Sequence, residues 1–263
     1  LASETNDAPE LRSAAVRQFF ENLLPEGQAL EDAAAVHRVA KSNLAGLLAA
    51  LGRETAGALC IQPALKRTDE GDRAERRAIT REELSERIRA RPAQPFSVWD
   101  ARVRLSIAGH QDKVALLVED EAWFLVDGKR LASTHILKPE PIASRLAGLT
   151  TNEFVSMRLA RAVGLPTAEV LLTHVPEPVL LITRFDRARH AEGVRRLHTI
   201  DGCQALGLSA ALKYERPYGD GRDVRHLRDG ASIAKLFGLA RLSANPAATG
   251  LAPGVFAAEG WDI

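Results

Sequence analysis

Four short stretches carry residue types suited to phosphate chemistry. In Ser106-Ile107-Ala108-Gly109-His110-Gln111-Asp112-Lys113 a glycine sits between two apolar, alternating stretches. Such a turn can aim backbone N–H groups at phosphate oxygens, and Lys113 adds a positive charge. It is not a P-loop, because GxxxxGK[ST] is absent and no helical pattern follows. It does not fit G-x-G-x-x-G either. Taken alone it reads as an ordinary hairpin turn. The second stretch is Thr134-His135-Ile136-Leu137-Lys138, an apolar strand ending in a lysine. Lys138 could neutralise nucleotide phosphates or simply face water. His135 has no second histidine at metal-binding spacing and reads as a hydrogen-bonded structural residue. The third is Glu153, early in a helical stretch, where either the helix dipole or an ion pair with Lys138 accounts for it. The fourth is Leu181-Ile182-Thr183-Arg184-Phe185-Asp186-Arg187. This is either a hinge whose backbone bonds a purine or a strand end closed by an Arg–Asp ion pair. No one stretch is decisive, but the order of glycine turn, strand lysine, helix glutamate and hinge strand is that of a protein-kinase N-lobe.

Positioning these groups requires an α+β architecture. Val103, Leu105 and Ile107 alternate with polar residues, and strands are expected at Val114 to Val118, Trp123 to Val126, Ser133 to Lys138, Val170 to Leu172 and Val179 to Ile182. A helix over Glu153 to Val163, capped by Asn152 and ended by Gly164, interrupts them. Antiparallel hairpins with one inserted helix exclude a doubly wound parallel sheet. Before them the chain reads as helices, with stripes at Val16 to Leu24, Ala29 to Ala40 and Leu44 to Leu51. A short strand is expected at Ala58 to Ile61, and the charged run from Lys66 to Arg77 reads as a solvated loop. Thr80 and Glu83 have capping-box spacing. After Leu197 come a short helix at Asp201 to Leu206, a loop over Tyr214 to Gly230 and a helix from Ser232 to Leu242. Pro92 and Pro95 mark a boundary, giving three parts: 1–95, 96–187 and 188–263.

Composition removes other classes. The 263 residues hold 35 Lys+Arg against 34 Asp+Glu, a net charge of +1, so bulk charge points to neither nucleic acid nor membrane. No apolar run approaches the ~18 residues that span a bilayer. Cys60 and Cys203 cannot form a disulfide framework or a Cys-rich zinc site, and a reduced cytoplasmic setting is expected.

Taken together these stretches resemble the HipA family, the serine/threonine kinase toxins of bacterial toxin–antitoxin pairs. The resemblance rests on Phe19-Phe20-Glu21-Asn22-Leu23-Leu24-Pro25, Leu51-Gly52-Arg53-Glu54-Thr55-Ala56-Gly57-Ala58, Ser106 to Lys113, Thr134 to Lys138, Asn152-Glu153, Arg184-Phe185-Asp186-Arg187, Leu197-His198, Cys203-Gln204-Ala205-Leu206-Gly207 and Lys213-Tyr214-Glu215. It implies a helical N-terminal subdomain, a kinase-like antiparallel N-lobe and the start of a helical C-lobe. It implies ATP contacts at Ala108, Gly109, Lys113, Lys138 and the Phe185 hinge, with Glu153 positioning the lysine. Ser106 matches the loop serine whose autophosphorylation switches such kinases off. ATP and Mg2+ are the implied cofactors, aminoacyl-tRNA synthetases the implied substrates, and a HipB-like DNA-binding antitoxin the implied partner. DNA would be reached only through that antitoxin.

The departures matter as much. Thr183 stands where family hinges usually carry Glu, and His110 and Asp112 where Ala and Glu are commoner. Arg216-Pro217-Tyr218-Gly219 replaces a Gly-Gly turn. After Lys213 neither N-x-D-x-H-x-K-N nor a metal-binding D-x-x-S in its family context occurs, so no catalytic or metal-binding residue is assigned. Leu1 in place of Met and the unpatterned stretch after Gly250 add to the expectation of a truncated kinase that does not turn over. The alternative is a non-catalytic antitoxin-binding module derived from one.

Overall fold

Six strands, most of them rich in apolar residues, build the sheet that carries the site. In the computed structural model these are β1 (Glu75–Ile79), β4 (Val114–Glu119), β5 (Ala122–Asp127), β6 (His135–Pro139), β7 (Val170–His174) and β8 (Pro178–Thr183), with a two-residue pair β2 (Val98–Trp99) and β3 (Arg102–Val103) between β1 and β4. The structure describes residues 9–63, 75–91, 93–104, 109, 111–127, 131–191 and 193–239. The sheet order is β1-β5-β4-β6-β8-β7 and every pairing is antiparallel. The α+β expectation with an antiparallel sheet therefore holds.

Register assigns each side chain to a face, because successive residues of a strand point opposite ways. Val114 lies opposite Leu137, and Leu137 opposite Leu181, so one face carries Val114, Leu116, Leu137, Val179 and Leu181. These join Ile79, Trp123 and Leu125 with Leu84 and Ile88 in the main core. Leu84 and Ile88 come from α4 (Arg81–Arg89), whose N-cap Thr80 accepts the Glu83 amide as its spacing predicts. The capping box is not reciprocal, because the Glu83 carboxylate is taken by Arg77. The opposite face carries Ala115, Leu117, Phe124, Val126, Ile136 and Lys138. There Leu117 and Val126 pack with Ala132 and Val194.

The described residues form two compact units: those up to Leu23 with those from Ile200, and those from Leu24 to Thr199. The smaller unit holds α1 (Pro9–Glu21), α6 (Gly202–Leu206) and α7 (Ile233–Leu239). Asp201 and Gln204 cap α6 reciprocally, and Gln204 Nε2 donates to the Phe19 carbonyl at 3.0 Å. The larger unit adds α2 (Gly27–His37), α3 (Leu44–Leu51), α5 (Leu149–Ala162) and a hairpin of β9 (Arg187–His190) with β10 (Gly193–Arg196).

Three expectations need correction. Glu75 to Arg77 is not loop but the start of β1; its charge suits an edge strand whose outer residues face water. Ala58 to Ile61 is not a strand, because Thr55 Oγ1 binds the Leu59 carbonyl and the Ile61 amide binds Gly52 instead of a neighbouring strand. Helix α5 starts at Leu149 with Gly148 as its cap residue rather than at Asn152. The reason is Glu140, whose carboxylate accepts the amides of Gly148 and Thr150, the latter at 3.2 Å, and so satisfies two orphan donors from outside the helix.

Because α5 carries Glu153, this remote cap bears on the site. Glu140→Ala is expected to lower stability by about 0.5–2 kcal/mol, the range for losing a cap. Urea denaturation followed by circular dichroism checks it.

Candidate functional site

Lys138 emerges near the end of β6, opposite Leu180 of β8, on the face away from the main core. The residue is almost fully buried, at 5% exposure. A buried ammonium needs a counter-charge, and α5 supplies one. Lys138 Nζ donates to Glu153 Oε1 at 2.8 Å. Of the two readings of Glu153, the ion pair is the one observed. Lys113, also buried, lies two residues before Ala115, whose side chain shares the Lys138 face. Gly109 has φ +117, a backbone region open to glycine and strained for other residues. Ser106 and Ala108 lie outside the described residues.

Of the two readings of the segment from Thr183 to Arg187, the structure shows the Arg–Asp ion pair. Arg184 and Asp186 turn inward and pair, with Nε–Oδ1 at 2.9 Å and Nη2–Oδ2 at 2.7 Å. Phe185, between them, turns outward with 53% of its surface exposed. Its backbone N–H makes no hydrogen bond to another described residue, whereas the Thr183 and Arg184 amides are held by the Glu169 and Thr134 carbonyls. A free amide beside an exposed ring is the equipment a planar heterocycle would need.

The inward side chains belong to a larger buried network. Glu54 Oε1 accepts from Ser133 Oγ at 2.6 Å and from Arg184 and Arg187 at 3.2 Å each; Glu54 Oε2 accepts from Arg196 at 3.0 Å. Gly57 donates its amide to Asp186 Oδ2 at 2.7 Å. Burial alone would push the Asp186 carboxyl up; the hydrogen bond and charge of Arg184, the charge of Arg187 and the Gly57 amide outweigh it and hold the carboxyl below its ordinary value. Glu54 was not singled out as a functional residue. Its partners lie about 80 to 140 positions away, and the one local hint is the surplus of arginine between 184 and 196.

His135 sits between two hydroxyls, with Nδ1 2.8 Å from Thr134 Oγ1 and Nε2 3.2 Å from Thr183 Oγ1. A neutral ring satisfies both, since each hydroxyl can give or take a proton. Burial, reinforced by the Arg189 charge and only partly opposed by Glu169, brings its pKa down to about 4. The expected structural role of His135 agrees with this geometry. Thr183, the departure from the family hinge, is here one of its two partners. Among the described residues no group of three His, Cys, Asp or Glu side chains could hold a metal. No helix among them is long and apolar enough to cross a membrane.

Comparison with known proteins gives this arrangement a context. A model described as the HipA-like C-terminal domain matches residues 105–251, and one described as the HipA N-terminal domain matches residues 3–62. The chain is 38% identical over 237 residues to the serine/threonine-protein kinase toxin HipA of Shewanella oneidensis, covering 89% of this chain and 53% of that protein. It is 41% identical over 205 residues to the putative kinase Y4mE of Sinorhizobium fredii, covering 75% and 48%. A chain in the structure of the Shewanella oneidensis HipA, HipB and operator DNA complex superposes with a TM-score of 0.74 at 38% identity, covering 90% of this chain and 54% of that one. The chain spans about half the length of the curated relatives it matches.

The His135 geometry sets a pH dependence. Its folded pKa of about 4 lies below the ordinary 6.5, so the unfolded chain binds more protons between these values. The stability tied to the neutral ring is fully present above pH 6.5 and is lost as pH falls towards 4. His135→Gln, which cannot charge, is expected to flatten the stability–pH curve in that window, and denaturation midpoints from pH 7 to 4 check it. Parallel curves for variant and wild type would contradict it.

Proposed function

This chain belongs to the HipA family, and we propose that it carries the nucleotide-binding part of a HipA-type serine/threonine kinase toxin. The observation that carries the reading is the buried Lys138–Glu153 pair on the sheet face away from the main core. Phosphoryl transfer depends chiefly on positioning and charge neutralisation, and kinases hold a strand lysine with a helix glutamate for that purpose. In this reading the sheet is a kinase N-lobe. Lys138 meets the α- and β-phosphates, the turn around Ala108 and Gly109 with Lys113 covers them, and Phe185 with its free amide receives the adenine. Ser106 is the autophosphorylation site. The full reaction moves the ATP γ-phosphate to a protein serine, with aminoacyl-tRNA synthetases as the substrate class.

Mg2+ would neutralise phosphate charge in that reaction. The described residues do not fit it, for want of a ligand cluster, and no step is assigned to it here. The sequence after Lys213 also lacks N-x-D-x-H-x-K-N, the source of a catalytic carboxylate. The 263-residue chain by itself therefore binds nucleotide without transferring phosphate. With labelled ATP and Mg2+, no label is expected on Ser106 or on a synthetase. Lys138→Ala should weaken ATP binding roughly tenfold, as expected for losing one charge-assisted hydrogen bond. Label on Ser106 that vanishes in Lys138→Ala would mean that a catalytic carboxylate lies within this chain. Absence of ATP binding would overturn the nucleotide site.

The second reading is a non-catalytic antitoxin-binding module. The match of residues 3–62 to the HipA N-terminal domain and the likeness to a HipA chain crystallised with HipB and operator DNA favour it. A HipB-like antitoxin is then the partner. It should co-elute with the chain on size exclusion whether or not Lys138 is changed to Ala; failure with both chains folded would count against this reading.

A further inference from the structure

We infer that Glu54 is a positioning residue for the adenine end of the nucleotide site, a role that rests on the reading of Phe185 as the hinge. The turn from Glu54 to Gly57 grips the chain on both sides of Phe185. On one side, Arg184 reaches Glu54 Oε1 and the Thr55 carbonyl, both at 3.2 Å. On the other, Asp186 takes the Gly57 amide at 2.7 Å, and Arg187 donates to the Gly57 carbonyl at 3.0 Å and the Thr55 carbonyl at 3.1 Å. Phe185 itself has neither a side-chain anchor nor a hydrogen-bonded amide among the described residues. Its place is set by its neighbours, and theirs by the turn.

The turn cannot slide. Gly57 has φ +72, and a Cβ there would meet the Thr199 carbonyl oxygen at 2.7 Å. Nor can Glu54 be replaced electrically. The buried guanidiniums of Arg184 and Arg187 and the half-buried one of Arg196 face two carboxylates, Glu54 and Asp186. Without the Glu54 charge, Asp186 alone pairs with Arg184 and Arg187, and Arg196 loses its carboxylate. Arg184 and Arg187 would then repel across Phe185 and Asp186. The network meets β6 at Ser133, just before the strand starts, whereas Lys138 lies near its other end, paired with Glu153 of α5. A disturbance at Glu54 should thus reach the adenine end and spare the phosphate end. Residue 54 falls in the stretch matched to the HipA N-terminal domain and Phe185 in the stretch matched to the C-terminal one, so the network ties the first to the nucleotide affinity of the second.

The test is calorimetric titration of the full chain with ATP, adenosine and inorganic tripolyphosphate. Glu54→Gln keeps the side-chain shape and removes the charge; Ser133→Ala removes the 2.6 Å bond to Glu54 and the 2.9 Å bond accepted from Arg184 while leaving every charge in place, and decides the matter if Glu54→Gln does not fold. Both variants should weaken adenosine and ATP, by roughly tenfold for Glu54→Gln and less for Ser133→Ala, and leave tripolyphosphate unchanged. Lys138→Ala should do the reverse, weakening tripolyphosphate and sparing adenosine. Glu54→Asp, which keeps the charge, should recover part of the adenosine affinity. Equal losses on all three probes, or none, would overturn the positioning role. A wild type that binds tripolyphosphate but not adenosine overturns it alone; one that binds neither overturns the nucleotide site with it.

Discussion

A carboxylate shared among three arginines is the interaction on which the larger unit depends. Taking Glu54, Asp186 and three guanidiniums out of water costs several kcal/mol per ion before any attraction returns. Such a network is weak evidence for stability, because apolar residues of the same volume often serve as well. What it does provide is uniqueness. A hydrocarbon core tolerates small slips, but a carboxylate that accepts from four donors does so in one arrangement only.

The Lys138–Glu153 pair solves the same problem differently. Its two members stand on a strand and a helix, each held by its own backbone. The sheet fixes Lys138 through its pairing with Leu180, and the Glu140 carboxylate fixes the start of α5. Glu140 itself follows β6 directly. One short segment therefore carries both the lysine and the group that orients its partner's helix, which makes the spacing of Lys138 and Glu153 insensitive to what happens at the sheet edges.

Much of this was legible from local pattern. Strands β4, β5, β6 and β8 announce themselves by alternation or apolar runs, and Thr80 by capping chemistry. The ion pair was legible as one of two options, because a strand lysine and an early helix glutamate are local features. Three things were not. Strand β1 is too charged to look like a strand, since as an edge it has an exposed side to fill with arginine. The start of α5 is set by Glu140, a side chain outside the helix, so the best local cap, Asn152, misled. Glu54 looks like any acidic residue in a glycine-bearing turn until the fold brings Arg184 and Arg196 to it.

That long reach also has a consequence for how the chain acquires its structure as it is synthesised. Glu54 is separated from Arg184 by 130 positions and from Arg196 by 142. Until the ribosome has released residues past Arg196, the turn at Glu54 lacks part of its set of arginine partners. Contacts of such sequence separation form late, after the entropy of closing the intervening loop has been met. During elongation the early helices can form, but the 52–57 turn must wait exposed for the second half of the larger unit. Vectorial synthesis therefore makes the segment from Arg184 to Arg187 among the last parts of the larger unit to settle, and ties its completion to emergence of the β9–β10 hairpin.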